Sequence, residues 1–212
     1  MERWLCVVTS RQRFSLSPAE LIRRVRWLAE AGVDLVQIRE RDLSDRALLL
    51  LVRDAVEVTR GTGARVVVND RFDVAVAAGA DGVHLREDST SAERIRPFAP
   101  PEFLIGCSIH DIDRARASSA CDYLLFGTVF PSGGKPSGHP VAGLERLREV
   151  CAAAAQPVLG IGGIAPVNAR EVAGAGAAGA AAMDSLLSAS SAGEAREIVR
   201  AFRKSFESAD RC

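Results

Sequence analysis

Short apolar runs alternate with helical patterns eight times along this chain, and no other feature narrows its possible folds so sharply. The runs cover residues 4–9, 34–38, 65–68, 82–85, 103–106, 123–126, 157–160 and 178–183. Each has the length of a strand, and each is followed by a helix or a helical pattern. The first helix is announced by Ser17-Pro18-Ala19-Glu20, a capping box with proline at the first helical position, and keeps Leu21, Ile22, Val25 and Leu28 on one face. It stops at Gly32. A second runs from about Ser44 to Arg60 with Leu48, Leu51, Val52 and Val56 together, and ends at Gly61-Thr62-Gly63. A related junction recurs at residues 31–34, 78–81, 119–122 and 175–178, where a residue tolerating positive φ is expected between helix and strand. Strict alternation with right-handed crossovers gives a parallel sheet, and eight units of roughly 25 residues suit a closed (β/α)8 TIM barrel forming one domain over residues 1–212. The competing architecture, an open doubly wound sheet, lacks its glycine fingerprint after the first strand.

Composition removes several functions. Lys+Arg and Asp+Glu are both 27, so the formal net charge is zero and neither nucleic acid nor an anionic membrane is expected as a partner. Any bound anion must be held locally. Cys6, Cys107, Cys121, Cys151 and Cys212 include no CxxC pair, which fits reduced thiols better than a disulfide framework or a zinc site. No window approaches a membrane span and Met1-Glu2-Arg3-Trp4 does not begin a signal peptide, so a cytoplasmic protein is expected. A homo-oligomer remains open.

The chemistry of such a barrel sits at the carboxyl ends of its strands, and here nearly every end is polar. Strand two empties into Gln37, Arg39, Glu40 and Arg41, strand three into Asn69-Asp70, and strand four into His84 and then Arg86-Glu87-Asp88. Strand five delivers Ser108 and His110, strand six Gly127-Thr128 and a loop carrying Lys135, and strand seven Gly160-Ile161-Gly162-Gly163. The glycine turn before Pro166 presents backbone N–H groups suited to a phosphate, the alternative being a tight turn without ligand. Arg39, Arg41 and Lys135 suit phosphate oxygens, or else form an ion-paired rim with Glu40 and Glu87. Asp70 and Asp88 could supply carboxylates to Mg2+, although Asp70 could equally cap the following helix. Among the histidines, His84 reads as a hydrogen-bonded core residue, and His110 is the better candidate for proton transfer. Residues 132–143 read as a mobile active-site loop as readily as a disordered tip.

The segments VDLVQIRERDLS, VVVNDRFDVAVAAGADGVHL, IGCSIH, DYLLFGTVFPSGGKP and PVLGIGGI together resemble the family of thiamine phosphate synthase and its TenI-type relative, the thiazole tautomerase. The resemblance implies a barrel that joins hydroxymethylpyrimidine diphosphate to a thiazole phosphate with Mg2+, releasing pyrophosphate. It implies that Gln37, Arg39, Arg41 and Asn69 hold the diphosphate, that Asp70 and Asp88 take the metal, and that Ser108 and Lys135 meet the leaving group. Gly162 and Gly163 would bind the thiazole phosphate, with Thr128 among the substrate contacts. Four features depart from the synthase pattern. Arg41 stands for a lysine, the segment after His84 is one residue short, Ser132 and Gly134 replace threonines, and Asp184 replaces a serine at the phosphate, where Ser185 would have to take over. Arg41 and the short segment resemble the tautomerase branch, whose histidine is Thr128 here. The alternatives are therefore an isomerase acting on the thiazole phosphate carboxylate and a non-catalytic barrel that binds a phosphorylated ligand.

Overall fold

A computed structural model describes residues 3–133, 138 and 140–209. Eight strands, β1 (Trp4–Val8), β2 (Leu35–Ile38), β3 (Arg65–Asn69), β4 (Gly82–Leu85), β5 (Leu104–Ile109), β6 (Tyr123–Gly127), β7 (Val158–Ile161) and β8 (Gly179–Ala182), pair in parallel and close into a barrel, β1 against β8. The helices between and after them are α1 (Pro18–Ala31), α2 (Asp45–Thr59), α3 (Phe72–Ala78), α4 (Ala92–Ile95), α5 (Ile112–Ala117), α6 (Gly143–Ala153), α7 (Ala169–Gly174), α8 (Asp184–Leu187) and α9 (Ala192–Ala209). The expected (β/α)8 barrel is thus the observed one.

Local chemistry sets the boundaries. Ser17 and Glu20 exchange both capping-box bonds at the start of α1, and Gly32 ends that helix at φ 100. The recurring junction has a second use that its spacing did not reveal. Asp34, Asp81 and Asp122, each just before an even-numbered strand, accept the backbone N–H of Leu5, Val66 and Ile105 at 2.5, 2.7 and 2.7 Å. Each carboxylate thereby stitches the foot of one strand to its predecessor. The fourth junction carries Ala178, which keeps the backbone N–H bond to Val158 O that the other three also make to their preceding strands, without the added carboxylate. Positive φ occurs at Gly32, Gly79 and Gly176 but not at Ala120, because α5 ends through Ser118 in an ordinary conformation.

Two apolar clusters follow from the strand period of two. Leu5, Val7, Val36, Val66 and Val68 face outward against α1, α2 and α9, whereas Cys6, Val8, Leu35, Val67, Leu104, Tyr123, Leu125 and Leu159 fill the barrel. The inner cluster fills the barrel interior, and the cavity opens at the carboxyl ends of the strands. Helix α7 begins at Ala169 rather than Pro166, since Asn168 holds the turn by accepting from Ala165 N at 2.9 Å and donating to Gly163 O at 3.0 Å.

The expectation of reduced thiols is overturned in part. Cys107 and Cys121 form a disulfide with Cα atoms 6.2 Å apart, joining β5 to the turn that leads into its neighbour β6 after 14 residues. Cys6 and Cys151 are free, and burial raises both thiol pKa values, that of Cys151 to about 11. Among the described residues no helix is long and apolar enough to cross a membrane.

Candidate active site

Strand parity decides what reaches the mouth. Continuing the inward positions of β2 gives Gln37, Arg39 and Arg41; β3 gives Asn69; β4 gives His84 and Arg86; β5 gives Ser108 and His110; and β7 gives Ile161 and Gly163. All of them line one cavity of about 1300 Å³, together with Thr128, Gly162, Asp88, Asp184 and Ser185. Glu40, on the opposite parity, turns away and accepts the backbone N–H of Arg11 at 3.1 and 3.0 Å. Thr9 at the end of β1 holds the same corner by accepting Arg39 N at 2.9 Å. The acid between the two arginines therefore spends its oxygens on Arg11, while its charge still acts on Arg39.

The result is a concentration of positive charge that Glu40 offsets only in part. Among the described residues neither Arg39 nor Arg41 forms a side-chain hydrogen bond or salt bridge. Desolvation first, then Arg41 and Arg86, hold the Arg39 pKa below the ordinary guanidinium value against the opposing charge of Glu40. A half-buried cation beside two more is stabilised by an incoming polyanion. The rim of ion pairs with Glu40 and Glu87 does not form on these two arginines. Glu87 lies instead 3.5 Å from Arg114 and 3.8 Å from His110.

Gln37 is buried, donates to Asn69 Oδ1 at 3.2 Å, and leaves its own Oε1 buried without a partner. That atom is an acceptor, so Gln37 offers a ligand N–H a partner rather than an anion. Asn69 sits beside it at the end of β3.

Asp70 and Asp88 are placed on either side of Arg86. One guanidinium nitrogen lies 3.6 Å from Asp70 Oδ2 and another lies 2.5 Å from Asp88 Oδ2. Asp70 also accepts from Ser89 Oγ and has φ 67, and the helix it could have capped takes Arg71 as its first flanking residue without a side-chain cap bond. Among the described residues no group of three His, Cys, Asp or Glu side chains could hold a metal ion. Asp88 lines the cavity and Asp70 does not, but one guanidinium reaches both, and two carboxylates suit a hard cation that completes its shell with water and other oxygens.

Across the mouth, Gly162 (φ 103) and Gly163 (φ 61) form the turn after β7. A Cβ on Gly162 would lie 2.6 Å from Thr128 Cγ2, and one on Gly163 2.4 Å from Pro131 O, so both contacts and backbone require glycine. Ser185 spends its hydroxyl proton on Ile164 O at 3.1 Å. The acid at Asp184 is answered by Arg13, which donates to both its oxygens at 2.5 and 2.7 Å. Arg13, from the β1–α1 loop, was not legible as part of the site. Its bidentate pair relieves the repulsion that an isolated Asp184 would exert on a phosphate. Lys135, expected at the leaving group, lies outside the described residues, as does His139.

His84 is fully buried, with Nδ1 3.1 Å from Tyr123 Oη and Nε2 2.9 Å from Ser108 Oγ. It is the hydrogen-bonded core residue expected, and it also touches the mouth. His110 is exposed and its Nδ1 donates to Gly127 O at 2.8 Å, which leaves the ring at the rim. Burial lowers the His84 pKa to about 3, so the folded chain keeps it neutral. An unfolded histidine near 6.5 binds its proton first, hence the stability from a neutral His84 is full above that pH and is lost as pH falls toward about 3. Between pH 7 and 4 the loss of unfolding free energy is expected to be smaller in His84→Gln than in wild type, by roughly 1.4 kcal/mol per pH unit at most. Equal pH slopes for the two proteins in denaturant titrations would contradict the neutral assignment.

Comparison with known proteins agrees with this geometry. The family model described as thiamine monophosphate synthase matches residues 5–186. A thiamine-phosphate synthase of Methanoculleus marisnigri is 39% identical over 164 residues, covering 76% of this chain and 78% of that protein. One of Chlorobium luteolum is 34% identical over 199 residues, covering 93% and 91%. Among solved structures, a thiamine phosphate pyrophosphorylase from Pyrococcus furiosus superposes with a TM-score of 0.83 at 32% identity over 98% of this chain and 97% of that one. A 3-hexulose-6-phosphate synthase, at 16% identity and TM-score 0.71, shares the fold.

Proposed function

This chain belongs to the thiamine monophosphate synthase family, and we propose that it is a transferase joining hydroxymethylpyrimidine diphosphate to thiazole phosphate with release of pyrophosphate. The observation that supports the reading is the cavity itself: it is lined both by Arg39 and Arg41, which form no side-chain ion pair among the described residues, and by the Gly162-Gly163 turn, and we read these as its two anion-holding walls. Between them the unpartnered Gln37 Oε1 suits an exocyclic amine, so Gln37 is assigned to the pyrimidine rather than to the diphosphate.

In this reading Arg39 and Arg41 grip the diphosphate, with Asn69 beside them and Ser108 and Lys135 at the leaving group. The bond from the pyrimidine methylene carbon to the diphosphate oxygen breaks, and the electron pair leaves with the oxygen. The guanidinium groups offset that growing charge, and water exclusion strengthens their effect. The thiazole nitrogen then donates its lone pair to the methylene carbon, closing the new C–N bond. Gly162 and Gly163 place that nitrogen by holding the thiazole phosphate through backbone N–H groups, and Thr128 packs against the same turn. Ser185 is left a backbone contact at most. His110, held by Gly127 O at the rim, is kept for a proton carried in or out rather than for the bond exchange.

Asp70 and Asp88 are the residues that would hold Mg2+, and the ion would supply further charge neutralisation to the departing oxygens. Arg86 must leave the two carboxylates for this to occur. Arg86→Ala is therefore expected to lower the Mg2+ concentration needed for half-maximal rate several-fold while raising KM for the pyrimidine diphosphate. If neither constant moves, Arg86 does not share these ligands.

The test of the function is formation of thiamine phosphate from the two phosphorylated halves by the purified protein, with and without EDTA. Product formed with Mg2+ and abolished by EDTA is the expected result. The hold of Arg86 on both carboxylates favours the tautomerase reading, as do Arg41 and the short segment after His84. Isomerisation of the thiazole phosphate carboxylate at an EDTA-indifferent rate, with no thiamine phosphate, would establish that reading instead.

A further inference from the structure

Three adjacent strands place His84, Gly106 and Tyr123 at one level of the barrel: His84 pairs in register with Gly106, and Gly106 with Tyr123. The middle position carries no side chain, and the Tyr123 ring lies across the space. A Cβ on Gly106 would meet Tyr123 Cζ at 2.1 Å and its hydroxyl oxygen at 2.4 Å. The phenol thus reaches over one strand to His84 Nδ1 at 3.1 Å. Ser108, two residues beyond Gly106 on the same face of β5, meets the other ring nitrogen at 2.9 Å and borders the cavity.

We propose that Tyr123 and His84 are positioning residues that set the direction of the Ser108 hydroxyl, so that its proton points into the mouth as a donor to the diphosphate. The argument is one of proton bookkeeping along a buried chain. Tyr123 is fully buried and, among the described residues, its hydroxyl has His84 Nδ1 as its partner. Were Nδ1 to carry the imidazole proton, the phenol would have to accept, and its own proton would be left buried and unspent, the costlier arrangement. The phenol therefore donates to Nδ1, and the neutral ring carries its proton on Nε2. That proton goes to Ser108 Oγ, which accepts and is left with a hydroxyl proton to give outward. In the opposite arrangement Ser108 would spend its proton on Nε2 and present only lone pairs to an anion. The inference rests on the reading of Ser108 as facing the diphosphate.

Two measurements test it, both without turnover. Long-range 1H–15N correlation spectra of the labelled protein report which ring nitrogen of His84 is protonated, and the Nε2–H form is expected as the single species near neutral pH. Calorimetric titration with inorganic pyrophosphate is then compared for wild type, Tyr123→Phe, Ser108→Ala and the double variant. Each single variant is expected to bind pyrophosphate about three- to tenfold more weakly, the size of one hydrogen bond. The double variant is expected to be no weaker than Ser108→Ala, because Tyr123 acts through Ser108. An Nδ1–H wild-type histidine, an unchanged affinity in Tyr123→Phe, or losses that multiply in the double variant would each overturn the inference. Should Tyr123→Phe fold poorly, the wild-type tautomer still decides. Failure to make thiamine phosphate would sink the transferase reading and leave these results untouched.

Discussion

Arg39→Ala is expected to lower kcat/KM for the pyrimidine diphosphate about 100- to 1000-fold, the cost of losing one preorganised charge partner of a developing anion. Arg39 is half-buried, without a side-chain hydrogen bond or ion pair among the described residues, and its charged form is disfavoured first by desolvation and then by Arg41 and Arg86, which together outweigh the opposing charge of Glu40. Those are the conditions in which a side chain costs the free protein and is offset by ligand. The same variant is therefore expected to unfold at an equal or higher temperature than wild type, since a repelled, partly desolvated cation is removed. Arg39→Lys is expected to recover only part of the rate, because a point charge cannot present the two parallel N–H groups that a phosphate accepts. Steady-state kinetics and thermal unfolding on the same preparations check both halves. A variant with near-normal kcat/KM would mean that the diphosphate is held elsewhere.

The second large effect concerns closure of the barrel. Gly179 pairs with Trp4 where β8 meets β1, and a Cβ there would stand 2.0 Å from Trp4 O and 2.8 Å from Trp4 C and N. The obstacle is backbone, fixed by the register and by Trp4 N donating to Ala178 O at 2.9 Å. Relief requires moving a strand rather than a side chain. Gly179→Ala is expected to destabilise the fold by about 3 kcal/mol, at the upper end of overpacking costs. For a chain of this size that corresponds to a fall in unfolding temperature of about 6–12 °C. Gly174→Ala supplies the contrasting sign. That glycine lies in α7 with nothing within 4 Å of a built Cβ, so alanine is expected to stabilise by up to about 1 kcal/mol. Equal effects at the two positions would contradict the contact geometry.

Much of this molecule is legible from the period of its apolar runs. The eight strands, the α1 capping box and the Gly32 stop follow from local chemistry and recur in the structure with small shifts of boundary. Gln37, Arg39, Arg41, Asn69, Ser108, Gly162 and Gly163 converge on one cavity because strand ends in a closed barrel have nowhere else to point. What escaped depends on contacts between distant segments. The Cys107–Cys121 disulfide needs the β5–β6 register, and the Arg13–Asp184 pair joins positions 171 apart in sequence. Arg86 stood beside Asp88 in plain view, but its hold on Asp70 requires the β3 and β4 ends to be neighbours. Strand parity would have found Tyr123 and His84 as a pair, since Gly106 lies between them in register; a buried tyrosine alone reads only as core.

The central claim is that one chamber holds a pyrimidine diphosphate and a thiazole phosphate together and exchanges one bond between them. Phosphorus NMR on a single sample of the protein with both compounds and Mg2+ tests it most directly. The account predicts that the diphosphate ester signals disappear as pyrophosphate and thiamine phosphate grow in equal amounts, and that neither product forms when the thiazole phosphate is omitted. Pyrophosphate released without thiamine phosphate, or spectra that stay unchanged, would contradict it.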